Sequence, residues 1–207
     1  MKLAIVDYGV GNLHSIRKGL EMAGAEVTIT RDPSEISTAD GIVLPGVGAF
    51  KSAMDKLRPI SGAVKEATSS GTPVLGICLG MQLLMEKSEE SGGCRGLGWI
   101  KGDVVRLPET LKVPHMGWNS LKVVQKHPLL RGIKSGAEVY FVHSYYLRPE
   151  NQDCVLALTE YGVKFPAVIA DGCLFGTQFH PEKSGEVGLR ILKNFGRMVK
   201  SGWTPEK

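Results

Sequence analysis

The chain has no apolar stretch approaching the roughly 18 residues needed to span a bilayer as a helix, so a membrane-spanning protein is not expected. Its first apolar run, Leu3-Ala4-Ile5-Val6, is cut off by Asp7 too early for a secretory signal. Its four cysteines, Cys78, Cys94, Cys154 and Cys173, form no C-x-x-C pair and no zinc-ligand spacing. A disulfide scaffold and a zinc module are therefore excluded, no metal or cofactor is expected, and a reducing, cytoplasmic setting is the simplest reading. Aromatic residues make up only 7% of the chain, and the 25 Lys and Arg are scattered among 21 Asp and Glu, for a net charge of +4. The nearest approach to a basic stripe is Arg190, Lys193, Arg197 and Lys200 at helical spacing. No aromatic residues interleave with it, so it reads as a solvated helix face rather than a nucleic-acid site. What is present is ordinary globular material. The 207 residues are 43% hydrophobic, enough for one sizeable core and expected to form one domain over 1–207.

Short apolar runs bounded by Gly, Pro or Asp alternate with helical patterns through the first eighty residues. Leu3–Asp7, Glu26–Thr30, Gly41–Leu44 and Pro73–Ile77 read as buried strands. Leu13, Ile16, Leu20 and Ala23 share one face of a helix, with Asn12 as its expected N-cap and Gly24 beyond its end. This alternation predicts an α/β fold, doubly wound, with a parallel centre covered by helices on both faces. The second half carries strand-like runs at Val104–Leu107, Leu121–Val124, Glu138–Val142, Cys154–Thr159, Ala167–Ala170 and Leu174–Phe179. Asp171-Gly172 between the last two predicts a type I′ hairpin. A closing helix with Val187, Ile191, Phe195 and Met198 on one face completes the chain. The expectation is a mixed sheet with antiparallel strands added at an edge.

The chemistry concentrates where the strand Pro73–Ile77 meets a helical pattern. Cys78 sits at that junction with Gly76 and Gly80 two residues to either side, the nucleophile-elbow pattern with Cys in place of Ser. A lone cysteine is usually a small buried hydrophobe; this frame instead marks a nucleophile at the start of a helix, where a thiolate is stabilised. A thiol nucleophile needs a base, and His180 ends a strand in Phe179-His180-Pro181-Glu182. The proline holds His180 extended, so Glu182 at i+2 points the same way and can orient the imidazole. The Leu79 N–H, just after the nucleophile, is one candidate oxyanion donor. A second lies in the loop Pro45-Gly46-Val47-Gly48. A rival pattern, Gly9-Val10-Gly11 with Asp32 farther on, approximates a dinucleotide fingerprint. Its third glycine, however, is replaced by His14.

With these residues in place, the Gly76–Gly80 elbow, the Phe179–Glu182 segment and the Pro45–Gly48 loop resemble the class I (triad) glutamine amidotransferases, of flavodoxin-like architecture. Further segments, Asp7–Asn12, Pro114–Asn119, Val139–Tyr145 and His180–Ser184, resemble the glutaminase subunits of imidazole glycerol phosphate synthases, which serve histidine biosynthesis. The likeness runs from Lys2 to about Met198; Val10 and Gly185 stand where the family often has other residues. The resemblance implies hydrolysis of L-glutamine to glutamate and ammonia through a thioester on Cys78, with His180 and Glu182 completing the triad. It places oxyanion donors at Leu79, Val47 and Gly48, and assigns Gly46, Gln82, His143, Ser144 and Tyr145 to the substrate's amino-acid end. It also implies a separate (β/α)₈ cyclase subunit as heterodimeric partner, contacted near Asn12, Trp118, Tyr140 and Lys183. Glutaminases serving pyridoxal phosphate, anthranilate or guanylate synthesis are the alternatives within the same fold.

Overall fold

The computed structural model describes residues 1–203. The first half builds β1 (Lys2–Val6), α1 (Leu13–Met22), β2 (Glu26–Thr30), α2 (Pro33–Ser37), β3 (Gly41–Leu44), α3 (Phe50–Leu57), α4 (Ser61–Ser69), β4 (Val74–Ile77) and the single turn α5 (Leu79–Gln82). The second half continues with β5 (Met85–Ser88), β6 (Cys94–Arg95), β7 (Ile100–Arg106), β8 (His115–Ser120), β9 (Lys122–Val123), β10 (Glu138–His143) and β11 (Tyr145–Pro149). It closes with β12 (Val155–Tyr161), β13 (Val163–Asp171), β14 (Leu174–Thr177) and α6 (Gly185–Lys200).

The main sheet runs in the order β2-β1-β3-β4-β14-β13-β12-β9. Its first five strands are parallel, and β13, β12 and β9 join antiparallel at the far edge. Strands β3, β4 and β14 are buried at every position, because helices cover both faces and leave no side for alternation. On one face Ile16 and Leu20 of α1 pack with Ile191, Leu192 and Phe195 of α6. On the other, Ile36 of α2, Phe50 and Met54 of α3 and Val64 of α4 form a second core layer. No helix among the described residues is long and apolar enough to cross a membrane.

The expected mixed, doubly wound sheet is present, with differences in its second half. The runs at Val104–Leu107 and Glu138–Val142 leave the main sheet. The first belongs to β7 in a four-stranded sheet β11-β7-β5-β6, and the second to β10, which pairs only with β8. Strands β5, β6 and β11 lack the apolar alternation by which strands are read, and in β8 it runs inverted, with Met116 and Trp118 exposed. The Asp171-Gly172 hairpin forms, but Asp171 pairs directly with Leu174. Its central residues are therefore Gly172 and Cys173, and only Gly172 has positive φ, at 57°. That is the pattern of a type II′ turn rather than type I′. Asn12 precedes α1, but its side chain makes no capping bond. Asp32 does cap α2, accepting from the Ser34 N–H at 2.8 Å, which engages the acid of the rival dinucleotide pattern.

Candidate active site

The elbow is built by close approach. Cys78 has φ 52° and ψ −108°, a conformation costly for any side-chain-bearing residue and retained mainly where function needs it. A Cβ on Gly80 would lie 1.9 Å from the Leu44 carbonyl oxygen, and one on Gly76 would lie 2.6 Å from the Met81 nitrogen. Both glycines are thus required for the strand to turn at once into α5. The same crowding explains Gly46, where a Cβ would meet the Gly80 nitrogen and the Leu79 Cβ at 2.7 Å. Gly46 lies buried behind the elbow, while Val47 and Gly48 beyond it are exposed. The buried Tyr8 hydroxyl donates to the Pro45 carbonyl, tying the loop to the end of β1. Burial and the nearby Cys78 sulfur both raise the Tyr8 pKa, so the phenol stays a donor.

Strand β14 delivers His180 to the same place. Nδ1 of His180 lies 2.8 Å from Oε1 of Glu182, and the two side chains are 2% and 1% exposed. Burial lowers the imidazole's pKa, but the Cys78 sulfur and the Glu182 carboxylate outweigh it and raise it to about 9. The opposite nitrogen, Nε2, is buried without a hydrogen-bond partner among the described residues, as is Oε2 of Glu182. A buried ring nitrogen with no conventional hydrogen bond, on an imidazole whose pKa the Cys78 sulfur helps to raise, is the kind of exception that calls for a functional explanation.

Beside the sulfur opens a cavity of about 300 Å³. Its lining includes Cys78, Val47, Gly48 and Leu79 together with Gln82, His143, Ser144 and Tyr145. Gly46 is not in its wall. Two functional candidates escaped the sequence reading. Glu90, also in the wall, accepts from the Phe50 N–H at 2.7 Å; it lies on a 3₁₀ turn with no motif to signal it. Gln178, fully buried, donates from Nε2 to the Cys78 sulfur at 3.7 Å and accepts from Gln82 at 3.2 Å. The i+2 rule that linked Glu182 to His180 points equally to Gln178 on the other side.

Three of the four expected partner residues cluster together. Trp118, 55% exposed, is the cross-strand neighbour of Tyr140, with ring centroids 6.0 Å apart. Lys183 places its Nζ 6.0 Å from the Tyr140 ring centre. Asn12 is exposed at the start of α1. No group of three or more His, Cys, Asp or Glu among the described residues is arranged to hold a metal ion.

A cysteine on a strained elbow, a buried His–Glu pair and a cavity beside them define the triad class of amide-cleaving enzymes. The chain belongs to the class I glutamine amidotransferase family, whose model matches residues 4–199. Among its relatives, it is 54% identical over 201 residues to imidazole glycerol phosphate synthase subunit HisH of Natronomonas pharaonis, covering 94% of this chain and 93% of that one. It is 52% identical over 201 residues to the same subunit of Geobacillus kaustophilus, covering 93% and 95%. A crystal structure of a glutamine amidotransferase shares the fold, with a TM-score of 0.74 at 20% identity over 94% of this chain and 98% of the other.

Proposed function

We infer that this chain is the glutaminase subunit of an imidazole glycerol phosphate synthase, releasing ammonia from L-glutamine for a (β/α)₈ cyclase subunit in cytoplasmic histidine biosynthesis. The observation that carries the reading is the strained Cys78 elbow facing a buried His180 with one bonded and one unpaired ring nitrogen.

In this mechanism the Cys78 sulfur, its proton handed to His180, attacks the side-chain amide carbon of glutamine. Backbone N–H groups of Leu79 and of the Val47–Gly48 segment receive the charge developing on the carbonyl oxygen. Each such donor contributes about 3 kcal/mol to the transition state. With a pKa of about 9, His180 carries a proton at neutral pH and gives it to the departing nitrogen, leaving a thioester and ammonia. It then takes a proton from water as that water attacks the thioester, and glutamate leaves. Glu182 keeps the imidazole's tautomer and direction throughout. In the cavity wall, Glu90 offers a carboxylate for the α-ammonium group, while Gln82, Ser144 and Tyr145 form the wall against the amino-acid end.

Ammonia freed into neutral water is largely ammonium, which has no lone pair for attack, so the product needs a sheltered route to its acceptor. The exposed Met116 and Trp118 of β8 supply apolar area for the cyclase. The reading is tested by measuring glutamine hydrolysis by the chain alone and with the cyclase and its nucleotide ligand. The expected result is a large rise on adding both. A rise with a non-barrel synthase instead would reassign the acceptor, and no hydrolysis under any condition would overturn the reading.

A further inference from the structure

A line of polar side chains runs from the partner-facing strand β8 to the wall of the cavity, and its direction is dictated at both ends by the backbone. At the outer end, Nδ2 of Asn119 donates to the Glu160 carbonyl at 3.0 Å, and its Oδ1 accepts from the Ser120 N–H at 2.8 Å. These two contacts settle which end of the amide is nitrogen. The same Nδ2 lies 3.3 Å from Nε2 of His115, which must therefore accept, leaving the proton of the neutral ring on Nδ1. Nδ1 of His115 lies 3.0 Å from Nε2 of His143. At the inner end, Nδ1 of His143 lies 2.9 Å from the Tyr145 carbonyl, an acceptor only, so this nitrogen carries the proton and Nε2 accepts. Outer and inner ends demand the same polarity.

We propose that His115 is a positioning residue of the glutamine site: with Asn119 and His143 it forms a one-way relay of hydrogen bonds that sets the Tyr145 carbonyl in the cavity wall from the partner-facing ribbon. The proposal rests on the glutaminase reading above and assigns His143 a supporting task, since both its ring nitrogens are occupied within the protein. The Tyr145 carbonyl also accepts from Gln82 at 2.8 Å, and Gln82 leads through Gln178 to the Cys78 sulfur. The relay thus ends on the network that holds the nucleophile. His115 is 3% exposed and sandwiched between Phe141, 4.9 Å away, and Tyr161, 4.1 Å away, in stacked geometry. Burial keeps both rings uncharged by lowering their pKa values, that of His143 to about 3.

The first test reads the protons directly. Long-range ¹H–¹⁵N correlation spectra of the full chain at pH 7 are expected to show His115 and His143 as neutral Nδ1–H tautomers, the form less favoured for free histidine in water. An Nε2–H tautomer or a charged ring at either position overturns the relay. This reading stands whether or not glutamine is the substrate, so its failure is separable from failure of the glutaminase assignment.

The second test uses two variants in the complex with the cyclase. His115→Phe keeps the ring sandwich but removes the donor to His143. His115→Asn loses the sandwich but keeps an N–H near the position of Nδ1. The relay predicts that KM for glutamine rises about tenfold in His115→Phe, the scale of one buried hydrogen bond lost, with kcat changed less than about twofold. His115→Asn is expected to stay within about threefold of the parent KM while melting at a lower temperature than His115→Phe. A purely packing role gives the reverse order in KM, with Phe tolerated and Asn impaired, and that order would overturn the proposal. If His115→Asn does not fold, the tautomer spectra decide alone.

Discussion

The parallel half of the main sheet and the β8–β10 ribbon solve opposite problems with the same backbone ladder. Strands β3, β4 and β14 are buried at every residue, and Cys78 and His180 lie beyond the carboxyl ends of β4 and β14, the usual place for a site in open α/β sheets. In the ribbon, β8 inverts the normal alternation while β10 keeps it, with Val139 and Phe141 buried. In β8 the inward positions are His115, Gly117 and Asn119, while Met116 and Trp118 face out at 63% and 55% exposure. The parallel strands spend their apolar residues on a core, whereas β8 leaves its own exposed and keeps its polar residues inside. The two are joined at the turn that carries His180, where the His180 N–H donates to the Tyr140 carbonyl at 3.0 Å and the Ser184 hydroxyl accepts from the Tyr140 N–H at 2.9 Å. A change in the ribbon therefore has a short path to the proposed triad.

The contrast makes its largest prediction at the elbow. Gly80→Ala forces a methyl into the Leu44 carbonyl and is expected to destabilise the chain by 3 kcal/mol or more, ~3 being the upper range for overpacking. Chemical denaturation checks it. Glu182→Gln is expected to fold normally and to lower kcat for glutamine by about 10³-fold, since the imidazole loses its orienting carboxylate; steady-state assays with the cyclase present read this.

A pH prediction follows from His180. Its pKa is raised from 6.5 to about 9, so its contribution to stability is complete below about pH 6.5 and is lost as pH rises through about 9, on the order of a few kcal/mol. Urea midpoints measured across that window should fall with rising pH. In Cys78→Ala the fall should be shallower, because the sulfur is foremost among the groups that raise the pKa.

In the ribbon the effects on folding shrink and those on association grow. Trp118→Ala is expected to change stability by less than about 0.5 kcal/mol, as exposed positions do, yet to weaken cyclase binding by about 2 kcal/mol or more if Trp118 is an anchor; calorimetry separates the two. The smallest contrast is between helix starts. Asp32→Ala should cost about 1 kcal/mol for its lost cap, whereas Asn12→Ala, with no capping bond, should cost less than about 0.3.

The same contrast explains what could be read from the sequence. The parallel strands, the elbow and the His180–Glu182 pair were legible because continuous apolar runs, a Gly-x-Cys-x-Gly frame and a residue before proline each have one local physical meaning. Strand β8 was not, because its inward His115 and Asn119 and outward Met116 and Trp118 defeat a rule that places apolar side chains inside. Its segment was noticed only through family resemblance. Glu90 gave no signal, since its position in the wall depends on how the β5–β6 connection packs against α3. Gln178 was within reach, two residues before His180 in the run Leu174–Phe179 that reads as a strand in sequence.

The most direct test of the account is the Cys78→Ala variant assembled with the cyclase, comparing synthesis driven by glutamine with synthesis driven by ammonium salts. Glutamine-dependent turnover is expected to vanish while ammonium-dependent turnover remains at the parent level. Glutamine-dependent turnover that survives the loss of the sulfur would contradict it.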